Sequence, residues 1–454
     1  MGISTFLGVE TALRGILAQQ RAIDTAGHNI ANASTVGYSR QRADFATTTP
    51  MDDTPSGLLG TGVDVVQYQR LRDSFIDIQL RAQTMRKGSA QAQQDGLNQV
   101  ELSLNEPSDT GVSSLLSKYW ASWQSLANAP ESLATRQALV QSAASLANGL
   151  NTLASQFSTV LAQTTQQQGI TLAQVNSIGT QIASLTGAIK SAQLAGAQPN
   201  DLLDKRDVLI DQLSELGNVS VSTTAGSPGT LGAIDVSIGG TLLVSDTTAS
   251  TLALPLASLT SGKLAGLQSV LTTIGTASTG YIGKLNQLAA ALAAKTNTQH
   301  ALGTDLAGAT GGAFFTVTAG NEAATIAVAP ALLASPSLIA ASLNGQAGNS
   351  GNALAIADLQ GTAVIGGATI DTAYSQLVTQ IGSDSQQAQQ SLSNASSLVD
   401  ALTNRRQSVS GVSLDEEMAT LVRYQRGFQA SARALSAMDE MIDQLVNRTG
   451  RVGL

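Results

Sequence analysis

The stretch SLDEEMATLVRYQRGFQASARALSAMDEMIDQL, residues 413–445, repeats apolar side chains at alternating steps of three and four. Leu414, Met418, Leu421, Gln425, Phe428, Ala432 and Leu435 form one stripe, and Met438, Ile442 and Leu445 continue it after a one-residue shift. Such spacing predicts an amphipathic helix with a heptad-like seam. Ser413 with Glu416 three residues on is a capping-box signature, in which hydroxyl and carboxylate satisfy unpaired N–H groups. Asp415, Glu416 and Glu417 sit at the positive end of the helix dipole, and Arg448 and Arg451 near its negative end. A continuous helix from 414 to 447 spans about 50 Å.

The N-terminus carries the same pattern. Phe6, Val9, Leu13, Ile16, Gln20, Ile23, Gly27 and Ile30 follow the three–four alternation, and residues 29–38 then supply the Asn, Ser, Thr and Gly of a helix stop. All nine prolines lie between Pro50 and Pro336, so both ends are free of helix breakers. Each stripe is interrupted by glutamine, at Gln20 and Gln425, and a polar residue on a seam fixes register. The ends therefore pair with each other or with copies of themselves.

Composition narrows the function. The 454 residues are 43% hydrophobic but only 3% aromatic, so cores must be built from Leu, Ala, Val and Ile. Absence of cysteine excludes disulfides, thiolate metal sites and cysteine nucleophiles, and two histidines, His28 and His300, exclude a multi-histidine centre. A net charge of −8 argues against nucleic acid. No HExxH, GxSxG or phosphate-binding loop is present, so no catalytic residue, cofactor or metal is expected. No cleavable signal is read in residues 1–30, and no membrane insertion is expected. The longest uncharged stretch, Ala323 to Ala357, is interrupted by prolines, asparagines and glycines.

Between the ends, residues from about 64 to 216 and from about 262 to 300 read as long helices, with capping expected at Asn200 or Asp201. Residues 219–256 turn to Ser, Thr, Gly and β-branched types, with Ile234, Val236 and Ile238 alternating, which predicts a small β insertion. Residues 313–345 read as irregular with one short strand at Thr325–Val328, and helix resumes at Asp371. Leu116, Tyr119, Trp120 and Trp123 are expected in a helix core, while His28 and His300 are expected as polar residues near helix ends. Arg405, Arg406 and the acidic run 415–417 are expected as solvated helix-end charges. The fold class is mainly α: a long helical bundle or coiled coil with paired N- and C-terminal helices and a small inserted β-rich segment.

The segment from His28 to Gln41, with Asn29, Asn32, Gly37, Tyr38 and Arg40, resembles the N-terminal motif of the flagellar rod, hook and hook-associated axial proteins. Residues 410–417 with Leu421, Tyr424, Gln425 and Phe428 resemble the closing helix of that family. Three internal stretches are similar to its hook-associated branch at the hook–filament junction. These are Gly60–Val63 with Phe75, Ile76 and Gln79–Arg81; Pro199–Asp207; and Asn297–His300 with Gly303, Asp305, Gly308, Phe314 and Phe315.

The resemblance implies a subunit of a helical tube. Residues 1–45 and 410–454 would form an inner, channel-lining domain, and 60–217, 262–312 and 350–409 a helical rod domain. A small β insertion at 218–261 and a short irregular one at 313–349 would stand where some family members carry larger outer domains. The implied partners are copies of the chain, the hook protein, the next hook-associated junction protein toward the filament, the export apparatus, and an export chaperone on the C-terminal region. The implied place is outside the cell, reached without a cleaved signal. Assembly contacts are assigned to Phe6, Val9, Leu13, Ile16, Gln20, Ile23, Ile30, Leu414, Met418, Leu421, Gln425, Phe428, Leu435 and Ile442. A hook or distal-rod subunit is the alternative within the family; a secreted enzyme or signalling coiled coil is the alternative outside it.

Overall fold

The computed structural model describes residues 6–53, 57–224, 232–444 and 446; Leu445, Arg448 and Arg451 of the C-terminal reading lie outside them. In chain order the elements are α1 (Leu7–Ala31), β1 (Gln41–Thr47), β2 (Met51–Asp53), β3 (Gly57–Leu59), β4 (Val63–Arg70), α2 (Ser74–Leu104), α3 (Val112–Asn128), α4 (Leu133–Leu194) and α5 (Asn200–Leu216). A four-stranded antiparallel meander follows: β5 (Val219–Thr223), β6 (Ile234–Ile238), β7 (Thr241–Ser245) and β8 (Thr248–Ala249). Then come α6 (Lys263–Gly275), α7 (Tyr281–His300), β9 (Phe315–Thr316), α8 (Glu322–Thr325), β10 (Ala327–Val328), α9 (Pro330–Ala334), α10 (Gly351–Ala357), α11 (Ile370–Ser410) and α12 (Leu414–Asp443). With 66% helix and 11% strand among the described residues, the fold is mainly α.

The chain divides into two compact units. The first comprises Met1–Met85, Gln174–Ser258 and Ser396–Leu454, and the second Arg86–Ala173 and Leu259–Ala395.

The second unit holds one apolar core. On α3, Leu116, Tyr119, Trp120 and Trp123 are all buried, as the spacing predicts, and Trp123 packs on Phe314 with ring centroids 5.1 Å apart. Asn297 stitches the segment after α7 to that helix: its Oδ1 accepts the N–H groups of Phe314 and Phe315, each at 2.8 Å. His300 is fully buried at the end of α7. Its Nε2 accepts the Ala340 N–H at 2.9 Å, so its Nδ1 carries the proton and donates to the Gly312 carbonyl at 2.7 Å. Burial pushes its pKa down and keeps the ring neutral. The irregular segment 313–345 is therefore packed, with Ile326, Leu332 and Ile339 buried.

In the first unit, β1 and β4 pair antiparallel from Gln41 opposite Arg70 to Thr47 opposite Val63, with a register shift between Asp44 and Phe45. This corrects the helix expected from residue 64. Val63, Val65 and Tyr68 alternate with exposed Asp64 and Gln69, which is a half-buried strand pattern. The capping expectation at α5 is also corrected. Pro199 is the N-cap and no side chain caps the helix, because the Asn200 amide instead donates to the Tyr68 carbonyl at 2.7 Å. The meander packs on α4 through Leu243, whose methyls would lie 2.8 Å from a Cβ at Gly179.

The terminal helices pair antiparallel, but along a different line from the one the large residues mark. A Cβ built at Gly8 would lie 2.6 Å from the Met438 sulfur, one at Gly15 2.9 Å from the Ser431 hydroxyl, and one at Gly427 2.9 Å from the Gln19 amide. Asn29 meets Glu417 at 3.1 Å, and Ala22 and Ala26 share a cavity of about 180 Å3 with Thr420 and Tyr424. The seam of α1 is thus Gly8, Ala12, Gly15, Gln19, Ala22, Ala26 and Asn29. Each lies one residue before a member of the predicted stripe, a rotation of about 100°. Small residues let the backbones approach, and the large apolar residues are left on the flank. Val9, Ile16, Ile23, Ile30, Leu421, Phe428, Leu435 and Ile442 are half-buried there, and Phe6, Leu13, Gln20, Leu414, Met418 and Gln425 are exposed.

The two lines make opposite demands on stability. Gly15→Leu should destabilise the pair by about 1–3 kcal/mol through overpacking against Ser431, net of the helix propensity a glycine replacement returns. Leu13→Ala should leave the isolated chain within about 0.5 kcal/mol of wild type. Chemical denaturation monitored on the terminal helices distinguishes them; equal losses in both variants would place Leu13 in the seam.

Candidate assembly site

The site begins where α1 stops. Asn32 closes the helix by donating from its amide to the His28 carbonyl at 3.0 Å, and accepts the Thr35 hydroxyl at 3.2 Å. Gly37 adopts φ +77°, and a Cβ there would lie 2.0 Å from a Val208 methyl, so both the turn and the approach of α5 require glycine.

Asn29, buried, ties three elements. Its Oδ1 accepts the Tyr38 hydroxyl at 2.7 Å and the Gln41 N–H at 2.9 Å, and its amide donates to the Gln41 carbonyl and to Glu417. Burial, then the nearby Asp201, Asp204 and Glu417 carboxylates, push the Tyr38 phenol well up, so it stays a donor. Arg40 reaches Glu416 at 2.8 Å and Glu417 at 2.6 Å, while its own N–H donates to the Ser410 carbonyl. Ser413 caps α12 by accepting the Glu416 N–H, as the capping box predicts, but the Glu416 carboxylate turns to Arg40. Glu417, at 2% exposure, is thus a buried partner and not the solvated charge expected.

Behind the turn lies a cluster of carboxylates and guanidinium groups. On α5, Asp204, Asp207 and Asp211 fall at steps of three and four and share one face. Asp204 accepts the Ser39 N–H at 2.9 Å, the Ser39 hydroxyl at 2.8 Å and Arg70 at 2.8 Å. Asp207 accepts Arg70 at 2.9 Å and Arg72 at 2.6 Å, and Arg72 also grips Asp77. Asp211 takes Arg81 at 2.7 Å and Arg406 at 2.6 Å. Arg406 is accordingly an internal tie between α11 and α5, which corrects its reading as a solvated charge. Burial alone would raise the Asp207 carboxyl; Arg72, Arg70 and Arg81 outweigh it and hold that group below the usual carboxylate range.

The cluster makes the turn, β4, α2, α5 and α11 one piece, from which α1 and α12 run out as a pair. Outward from that pair face Leu13 at 46% exposure, Leu17, Leu414, Met418 at 56%, Val422 and Met441. Among the described residues no His, Asp and Glu group is placed to hold a metal, and no helix is long and apolar enough to cross a membrane. Of the motif residues read from the sequence, the structure brings Asn29, Tyr38 and Arg40 together at the start of α12, and leaves Asn32 and Gly37 in the turn. Sequence reading missed the seam glycines and the acidic face of α5, whose three–four spacing was there to be read.

A terminal helix pair closed by this turn fits the flagellar axial proteins that the sequence motifs resemble, and comparison with known proteins shows the class. Residues 10–38 match the Flagella basal body rod protein family, 403–448 match the Flagellar basal body rod FlgEFG protein C-terminal family, and 97–315 match the Flagellar hook-associated protein FlgK helical domain. Flagellar hook-associated protein 1 of Bacillus subtilis is 31% identical, covering 98% of this chain and 99% of its own length. The Escherichia coli protein of that name is 28% identical over 97% of this chain and 99% of its own. A solved structure of the flagellar hook junction protein FlgK from Burkholderia pseudomallei shares the fold, with TM-score 0.65 and 18% identity, covering 73% of this chain and all of its own. The chain belongs to the flagellar hook-associated protein 1 family and is a structural protein of the bacterial flagellum.

Removing one carboxylate tests the cluster. Asp207→Asn leaves Arg70 and Arg72 short of a counter-charge and should cost about 3–5 kcal/mol in chemical denaturation. Because the folded carboxyl is held below its unfolded value near about 3.9, its contribution is present above that pH and lost as pH falls through the lower folded value. The variant should lack that acid-dependent part; an unchanged acid profile would contradict the arrangement.

Proposed function

We propose that neighbouring copies of this chain bury the outer flank of the α1/α12 pair, and that this burial is what builds the flagellar hook–filament junction. The chain is a structural subunit of that junction. The observation that carries the assembly reading is the exposure of Leu13, Leu17, Leu414, Met418 and Val422 on helices whose own seam is already closed by small residues. Apolar flanks on both members of a pair are an interaction surface, worth about 25 cal/mol per Å2 covered.

In this reading, residues 1–45 and 410–454 form the inner, channel-lining domain, and the residues from 60 to 217, 262 to 312 and 350 to 409 form the rod domain around it. The insertions at 218–261 and 313–349 lie outermost. The chain passes unfolded through the export apparatus, escorted by a chaperone on its C-terminal region, and folds outside the cell. There it meets the hook protein on one side and the next hook-associated junction protein on the other. The role is mechanical, not catalytic. A chain without cysteine suits that route, since an exported thiol is open to oxidation.

Leu13→Asp combined with Met418→Asp changes only exposed positions, so the purified chain should keep its helix content and melting temperature. In cells the same variant should be missing from sheared hook–filament preparations, and filaments should fail to attach. Normal filaments carrying the variant would overturn the proposal.

A further inference from the structure

The uncharged tract from Ala323 to Ala357 includes a surface turn that the assembly reading leaves without a role. Asn344 and Gly345 are both exposed in it. The Asn344 Oδ1 accepts two hydrogen bonds, from the Ser342 hydroxyl at 3.2 Å and from the Gln346 N–H at 3.0 Å. Gly345 adopts φ +78°, and a Cβ at its position would meet nothing within 4 Å. Among the described residues its N–H has no acceptor.

We propose that Asn344–Gly345 is a site of self-modification, converting to aspartate or isoaspartate with water as the only co-reactant. The Gly345 nitrogen, having lost its proton to hydroxide, attacks Cγ of Asn344. An N–Cγ bond forms, the Cγ–Nδ2 bond breaks, and ammonia leaves with a proton taken from water. The resulting five-membered imide is opened by water at either carbonyl, giving aspartate or isoaspartate, with no change of oxidation state. Each structural feature favours the first step. Two donors on Oδ1 draw electron density from Cγ and stabilise the oxyanion that forms there. The missing Cβ leaves the attacking nitrogen unhindered, and an unengaged N–H is open to base.

The chain contains its own control. Its other Asn-Gly step, Asn148–Gly149, lies inside the 62-residue helix α4, where the Gly149 N–H is committed to the helix and Leu115 packs 2.6 Å from its Cβ position. That nitrogen is freed only by local unfolding. Conversion at 344 would place a carboxylate beside exposed Leu343, on a tract that carries no charge, and so mark the age of an extracellular subunit.

The test is incubation of the intact, folded chain at mildly alkaline pH, followed by peptide mapping with isoaspartate detection. Residue 344 should convert about tenfold or more faster than residue 148, since only the latter must first open a helix. In denaturant the two rates should converge. Asn344→Gln should abolish the signal at 344, and Gly345→Ala should slow it. Comparable rates at 148 and 344 in the folded chain, or slower conversion at 344 folded than denatured, would overturn the proposal.

Discussion

The distance between α1 and α12 is set where a side chain of one helix packs directly on a glycine of the other, at Gly8, Gly15 and Gly427, and this close approach governs what the terminal pair can do. Glycine and alanine at most of the α1 seam positions offer few apolar side-chain atoms to bury, so the pair draws modest hydrophobic stabilisation from that side of its contact. Its register comes from polar ties at one end, where Asn29, Tyr38, Arg40 and Glu417 close on one another. Met438 packs on Gly8 inside the pair, but Leu13, Leu17, Leu414, Met418 and Val422, which an ordinary coiled coil would place inside, are exposed.

Those ties continue into the body of the first unit. Ser39 and Arg40 are adjacent in sequence but face opposite ways: Ser39 binds Asp204 on α5, and Arg40 binds the acidic start of α12. The turn after α1 therefore passes the position of both terminal helices to α5, and from there through Arg70, Arg72, Arg81 and Arg406 to β4, α2 and α11. Removing one member of such a network strands several buried charges, which is why it specifies geometry more than it adds stability.

Much of this was legible in the sequence. The cap at Ser413, the stop after Ala31, the aromatic core of α3 and the β meander all follow from local rules and were where those rules put them. Over most of its length the line of closest approach runs one residue from the stripe that hydrophobicity marks, for a physical reason. A three–four period fixes that a helix has a stripe, but two stripes one residue apart have the same period. Hydrophobicity favours the one with Leu13 and Ile16 over the one with Ala12 and Gly15. The pairing of β1 with β4 escaped because the bulge at Val66 breaks the period-two alternation, while Glu417 and Arg406 looked solvated because their partners lie far away in the sequence.

The absence of native cysteine allows a direct measurement of which stripe is the seam. Gly15→Cys with Ser431→Cys, and separately Leu13→Cys with Phe428→Cys, can be oxidised in the isolated chain and in purified flagella. The close-approach account predicts an intramolecular disulfide in the first variant in both settings, and none in the second when the chain is alone. A fast intramolecular disulfide between positions 13 and 428 in the isolated chain, with none between 15 and 431, would contradict it.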